Sequence, residues 1–253
     1  GSDVSRIQTY AEPLADGYLL NGTKHWVTNA MFATHFIVLA RTTEARAADK
    51  PKLTAFLIKK CPGIRVTPVS SDVLPGSGVG EVTFHNVRLE SSAIVGNLGK
   101  GFRVVMAGLS EARLLVSAAV LGASVRAYND TLERVNERRA FGRSVGKFPS
   151  VQYRVADMLA DLLAMESIVH AAAGREETRG TVDPVERAVV RLAISRGSAR
   201  VLDRARELHG AAAFAGNVSA SRHWADTRAL TLLDGSDLAL ESYILLVGTR
   251  ELR

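Results

Sequence analysis

Gly17-Tyr18-Leu19-Leu20-Asn21-Gly22-Thr23-Lys24-His25-Trp26-Val27-Thr28 sets the character of the first hundred residues. Two strand-forming runs flank Asn21-Gly22, and Asn-Gly most readily supplies the positive φ angles of a tight hairpin turn. A hairpin turning at Asn21-Gly22 is therefore predicted. Outward from it, His35–Ala40, Leu53–Ile58 and Ile64–Thr67 are further short strand-like runs, and Val79–Leu89 alternates with a period near two. That alternation puts Val82, Phe84 and Asn86 on one face. Five to seven short strands punctuated by Gly, Pro and Asp predict a small antiparallel β-barrel or sandwich over residues 1–98. The polar stretch Thr42–Lys52 reads as a loop.

At Gly101 the period changes. Phe102–Ala140 contains no proline, and Val105, Leu109, Leu114, Val120, Leu121, Val125, Leu132 and Val135 recur at largely helical steps. This predicts one very long helix, or two in line with a weak point at Gly122. Arg138, Arg139 and Gly142 suit its C-terminal end. Pro149 opens a second helix running to about Gly174. Asp183-Pro184 opens a third, with Asp183 as N-cap, running to about His209. Shorter helices follow near Ser219–Leu230 and Asp237–Glu251. The fold class is α+β: a β-domain over 1–98, then an antiparallel four-helix-type bundle over 99–253.

Composition narrows the function classes. Of the 253 residues, 47% are hydrophobic and 23% charged, as in a globular protein with a real core. No stretch reaches the roughly 20 uninterrupted apolar residues of a membrane span, and the polar opening Gly1-Ser2-Asp3 does not read as a signal peptide. The single cysteine, Cys61, leaves no internal disulfide framework, so a reducing, cytoplasmic setting is expected. The net charge of +6 is carried by basic residues interleaved with acids and without an aromatic stacking platform, which argues against nucleic acid. Solvated helix faces account for that charge, or a polyanionic small molecule such as CoA or a dinucleotide. His25, His35, His85, His170 and His223 lack ligand spacing, and no metal is expected.

Taken in order, these segments resemble the acyl-CoA dehydrogenases, FAD-dependent flavoproteins. Gly1-Ser2-Asp3 resembles the end of the family's flavin-site loop, and Gly17–Asn29 its signature hairpin. Gly99-Lys100-Gly101-Phe102 is similar to the entry of its long helix. Arg138-Arg139-Ala140-Phe141-Gly142 resembles its Arg-x-x-Phe-Gly turn, and Phe148-Pro149-Ser150-Val151-Gln152 its Phe-Gln-x-x-Gln segment. His209-Gly210, Ala225-Asp226-Thr227-Arg228 and Asp234-Gly235-Ser236 complete the series. The resemblance covers essentially the whole chain, and implies that the family's N-terminal helical domain is missing from it.

The resemblance implies α,β-dehydrogenation of an acyl-CoA thioester in fatty acid or lipid metabolism. A carboxylate takes the α-proton and the β-hydrogen leaves as hydride to flavin N5. Asp234 matches the base, where the family usually has Glu. A subset places its base on the long helix, where this chain has Ala112, with Glu111 about 100° around the helix. Trp26 and Thr28, two residues apart on one strand, would face the isoalloxazine ring together. Arg138 and Phe141 match residues that reach the pyrophosphate and adenine of a neighbouring subunit's FAD, and His209-Gly210 matches a loop on the same pyrophosphate. Ser236 would also sit at the cofactor, and Ser2, Arg113 and Gly235 near the substrate. For Arg113 an exposed helix face remains an equal reading. Ser236 also reads as the N-cap of the last helix. The implied partners are acyl-CoA, an electron-accepting protein and further subunits, in a homo- or hetero-oligomeric dimer or tetramer. Glu207 in place of Gln, Ala211 in place of Gly, and Leu238 in place of a polar residue depart from the pattern. They keep open two alternatives: a silent subunit completing a partner's site, or a flavoenzyme for a nitro or amino compound.

Overall fold

The computed structural model describes residues 6–42, 52–180, 182–215, 219–233 and 235–248. The chain divides into two compact units, Gly1–Gly108 and Leu109–Arg253.

In the first unit, β1 (Tyr10–Leu14), β2 (Gly17–Val27), β3 (His35–Arg41), β4 (Leu53–Lys59), β5 (Ile64–Pro68), β6 (Gly80–Glu90) and β7 (Ile94–Val95) form one sheet. Their order is β5-β6-β2-β1-β3-β4-β7. All neighbours are antiparallel except β1 and β3, which run parallel where Tyr10 meets Arg41. The sheet is therefore mixed, not purely antiparallel. Leu20, Phe36, Val38, Phe56, Ile58, Val82, Phe84, Val87 and Leu89 build its core.

Asn21-Gly22 is not the hairpin turn. Ala15 and Asp16 make that turn, with Leu14 paired to Gly17, and β2 runs through Asn21-Gly22 unbroken. The pairing of β2 with β6 slips between Leu20 and Gly22, so the Asn-Gly pair occupies a β-bulge. Glycine is required there: φ is +131°, and a Cβ would lie 2.7 Å from Thr9 Cα. The Asn86 amide donates to Asn21 Oδ1 at 2.8 Å. Asn86 itself takes a φ of 50° and is exposed, so the inward face passes from Val82 and Phe84 to Val87 and Leu89. The period-two reading fails at Asn86 because the bulge adds a residue.

Lys24 on β2 donates from Nζ to the Leu39 carbonyl at 2.8 Å. Burial pushes its amine down from 10.5 to about 8. Between those values the unfolded chain keeps a proton that the folded chain has released, so this group makes stability rise with pH. Lys24→Met is expected to remove the rise. Urea midpoints of the wild type should climb relative to the variant's from pH 8 to 10.5, and parallel curves would contradict the linkage.

The second unit contains most of α1 (Gly101–Glu137), then α2 (Pro149–Arg179), α3 (Pro184–His209), α4 (Ser219–Leu230) and α5 (Asp237–Tyr243), the last continued by a π turn over Ile244–Gly248. α1 is one helix through Gly122. Its buried face carries Ser110, Arg113, Leu114, Ser117, Val120, Ser124, Ala127, Thr131 and Val135, while Val125 is exposed. Hydroxyls occupy this face because Ser117, Ser124 and Thr131 each donate to the carbonyl four residues back, at 2.7–2.8 Å. α1 also carries an 18-residue window of mean hydropathy 1.7, 22% of it buried. By length and composition it is apolar enough to cross a membrane, although its apolar residues are interrupted by polar ones.

Met158, Leu162, Met165 and Val169 on α2 meet Val190, Ile194, Val201 and Leu202 on α3 in one core. Asp183 caps α3 as predicted, accepting from the Val185 amide at 2.6 Å and the Glu186 amide at 3.2 Å. Asp161 on α2 takes 2.6 Å hydrogen bonds from both Arg200 and Arg204 on α3. Partial burial raises its carboxyl, but hydrogen bonds and charge from the two arginines outweigh this and hold it below its ordinary value.

Candidate functional site

The most sharply defined constellation lies where α1 and α3 end. After Glu137 the chain forms a two-stranded ribbon, β8 (Arg139–Ala140) with β9 (Arg143–Ser144). Phe141 and Gly142 make its turn with φ of 49° and 78°, the double positive of a primed hairpin turn. Gly142 thus serves the hairpin and not, as the sequence predicts, the cap of α1. Phe141 holds a left-handed backbone, a cost on the order of 1 kcal/mol, while remaining 94% exposed. Its ring packs edge-on to Phe148 at 6.1 Å, and Arg143 lies 4.1 Å over Phe148.

At the end of α3, His209 is buried and its Nδ1 donates to the Ala205 carbonyl at 2.8 Å. The imidazole therefore serves the helix. Gly210 has φ 62° and ψ −141°, a conformation essentially reserved for glycine, and opens a 3₁₀ turn, Gly210–Phe214. A Cβ on Gly210 would lie 3.5 Å from Arg138 Nη1. Arg138 and Gly210, far apart in sequence, are thus neighbours. Ala211 takes no positive φ in this turn, so its methyl meets no backbone penalty. Glu207 is paired with Arg154 at 3.5 Å.

Asp234 and Ser2, the predicted base and a predicted substrate contact, lie outside the described residues. The turn after Asp234 is described: Gly235 has φ +116°, and Ser236 caps α5 by accepting from the Ala239 amide at 3.4 Å. Arg113 is 4% exposed, so it does not lie on a solvent face; its guanidinium sits 5.2 Å from the Tyr243 ring of α5. Glu111 is exposed and pairs with Arg187 at 3.6 Å. Arg196 pairs with Glu241, tying α5 to α3.

In the first unit, Trp26 and Thr28 do not share a regular strand. A second register slip lies between Lys24 and Val27, Trp26 takes φ 55°, and β2 ends at Val27. Strand alternation therefore says nothing about their relative direction. Trp26 is 70% exposed and Thr28 half-buried. The open groove of about 670 Å³ on β5 and β6, lined by Arg65, Thr67, Glu81, Thr83 and His85 among others, includes none of the candidate residues.

The family model "Acyl-CoA dehydrogenase, middle domain" matches residues 1–87, and "Acyl-CoA dehydrogenase, C-terminal domain" matches residues 99–244. The chain belongs to the acyl-CoA dehydrogenase family. Among solved structures it is similar to butyryl-CoA dehydrogenase from Megasphaera elsdenii, with 28% identity and a TM-score of 0.90 over 100% of this chain and 65% of that one. It is also similar to PigA with FAD and proline, at 28% identity and a TM-score of 0.89 over 99% of this chain and 65% of that one. A third is the prolyl acyl carrier protein oxidase AnaB, at 26% identity and 0.89, covering 97% and 65%. The chain thus spans about 65% of the length of these relatives.

Within this acyl-CoA dehydrogenase-family chain, sequence reading passes over Arg206, Phe214 and Trp224. Arg206 lies 5.0 Å from the Phe214 ring and 4.1 Å from the Trp224 ring. The available signal is weak: an arginine one turn before Gly210 with an aromatic residue four positions after it.

Proposed function

We propose that this chain is the cofactor- and substrate-binding portion of an FAD-dependent acyl-CoA dehydrogenase that removes two hydrogens across the α,β bond of an acyl-CoA thioester. The observation that carries this reading is the juxtaposition of Arg138 with Gly210 beside an exposed, backbone-strained Phe141. A planar guanidinium against a glycine-only backbone suits a pyrophosphate, which it binds bidentately while the small residue permits close approach. An exposed aromatic ring suits a nucleotide base. The Glu207 charge is offset by Arg154, so the loop is not a repulsive one. These residues fit FAD.

In this reading Arg138, Gly210 and the His209 backbone hold the pyrophosphate, and Phe141 lies at the adenine. Arg113 and Gly235 border the acyl thioester. When bound, FAD supplies the acceptor for the β-hydrogen as hydride. Asp234 takes the α-proton, and exclusion of water strengthens it as a base. Exposed Phe141, together with exposed Leu115 and Val125 on α1 and Leu159 and Leu163 on α2, supports a dimer or tetramer in which one subunit completes another's site. An electron-accepting protein in the cytoplasm closes the cycle.

A second reading, an amino-acid-derived substrate in place of a fatty acyl-CoA, is favoured by the likeness to PigA with FAD and proline and to a prolyl acyl carrier protein oxidase. Both readings keep the cofactor site.

Arg138→Met tests that site. In the natural protein at full length, the Kd for FAD is expected to rise by roughly tenfold or more, the worth of a charge-assisted hydrogen bond, with apoprotein melting little changed. Wild-type FAD affinity in the variant would remove Arg138 from the site.

A further inference from the structure

Arg206, Phe214 and Trp224 form a stack beside the Gly210 turn. The guanidinium lies 4.1 Å from the Trp224 ring centroid and 5.0 Å from that of Phe214. Trp224 is itself fixed, its indole Nε1 donating to Asp203 Oδ1 at 2.7 Å. Among the described residues Arg206 has no carboxylate partner, and its guanidinium is engaged by the two ring faces. Phe214 is 76% exposed, so little besides Arg206 restrains its ring. The Arg206 carbonyl, meanwhile, accepts the Gly210 amide. One residue therefore fastens both ends of Gly210–Phe214, the first through its backbone and the last through its side chain.

Stacked guanidinium and aromatic planes attract through the ring quadrupole and through dispersion, most strongly with Trp. A loop fixed in this way loses less conformational freedom when it meets a ligand, and that difference appears as affinity. We propose that Arg206 is a positioning residue for the cofactor, holding residues 210–214 in the conformation that FAD meets without touching the reacting atoms. The inference rests on the reading of Arg138 and Gly210 as an FAD site. It adds a residue that acts through Phe214 and Trp224, in a turn where Ala211 replaces a family glycine and backbone freedom is reduced.

The test is FAD titration of the full-length apoprotein, followed by flavin fluorescence, alongside thermal melting of the same apoprotein. Arg206→Met keeps the aliphatic stem and loses the charged plane. It is expected to raise the Kd for FAD about tenfold while the apoprotein Tm shifts by only a few degrees. Arg206→Lys, which restores a cation to the rings, should recover part of the affinity. Phe214→Leu, which frees the same end of the loop from the other side, should resemble Arg206→Met. Wild-type affinity in both Arg206→Met and Phe214→Leu would overturn the proposal. So would affinity losses that simply track losses of Tm, with no recovery in the lysine variant. If Arg138→Met weakens FAD and Arg206→Met does not, this inference alone falls. If the wild type binds no FAD, the cofactor reading falls with it.

Discussion

Asp234→Asn is expected to leave FAD bound and to slow anaerobic bleaching of the flavin by an acyl-CoA by roughly 10²–10⁴-fold, the usual worth of a general base. The amide keeps the shape of the carboxylate but cannot take the proton. The residues that shape the turn are untouched by the change. Gly235 keeps its positive φ, Ser236 still caps α5, and Arg196 still pairs with Glu241. The expected signature is therefore a yellow variant of near wild-type stability whose flavin resists reduction. Asp234→Glu retains a base displaced by about one C–C bond, roughly 1.5 Å, so its rate reports how tightly the site fixes the distance. Unchanged bleaching in the Asn variant would move the base elsewhere. Glu111 is then the carboxylate to replace, although it is exposed and already paired with Arg187.

The second large effect concerns the fold. Gly101 opens α1, and a Cβ there would lie 2.2 Å from the Ala55 amide nitrogen, 2.4 Å from the Thr54 carbonyl carbon and 2.7 Å from Thr54 Cα. These are backbone atoms of a paired strand, held to β3 along its whole length, and they cannot turn aside as a side chain can. The Gly99 amide also donates to Thr54 Oγ1 at 3.0 Å, so the entry to the helix is pinned against the same strand. Gly101→Ala is expected to destabilise by about 3 kcal/mol or more, at the upper end of what overpacking costs. The check is the urea midpoint. By contrast, Gly122→Ala on the same helix, where a Cβ meets nothing within 4 Å, should stabilise by up to about 1 kcal/mol through helix propensity. Equal outcomes for the two would refute the packing argument.

Much of this architecture is legible because it rests on local rules. The Asp183-Pro184 start of α3, the proline-free run of α1 and the strand positions of β3, β4 and β5 follow from capping, period and residue type, and the structure has them. The failures have other causes. Asn21-Gly22 carries a strong turn signal, but Thr9 approaches so closely that glycine is needed for space inside a bulge. Gly142 reads as a helix cap, yet pairing of Arg139 with Ser144 makes it a hairpin residue. Alternation places Trp26 and Thr28 on one face, and a register slip cancels it. At Asn21-Gly22 and at Trp26 a contact distant in sequence overrides a local preference, and at Gly142 one local motif, the hairpin, displaces another.

Legibility of the site divides the same way. Arg138 and Gly210 enter through motif resemblance, and their proximity is a tertiary fact that no spacing contains. Arg113 is balanced in sequence between a place near the substrate and an exposed helix face, and its burial against Tyr243 removes the exposed face. The Arg206 stack leaves only a weak trace in the sequence, because its partners lie on a separate turn and a separate helix.

The flavoenzyme reading stands or falls on the visible spectrum of the natural full-length protein, recorded anaerobically before and after adding a panel of acyl-CoA thioesters and a prolyl thioester. The expected result is a yellow protein whose flavin absorbance bleaches with at least one thioester. A colourless protein that takes up no added FAD would contradict it.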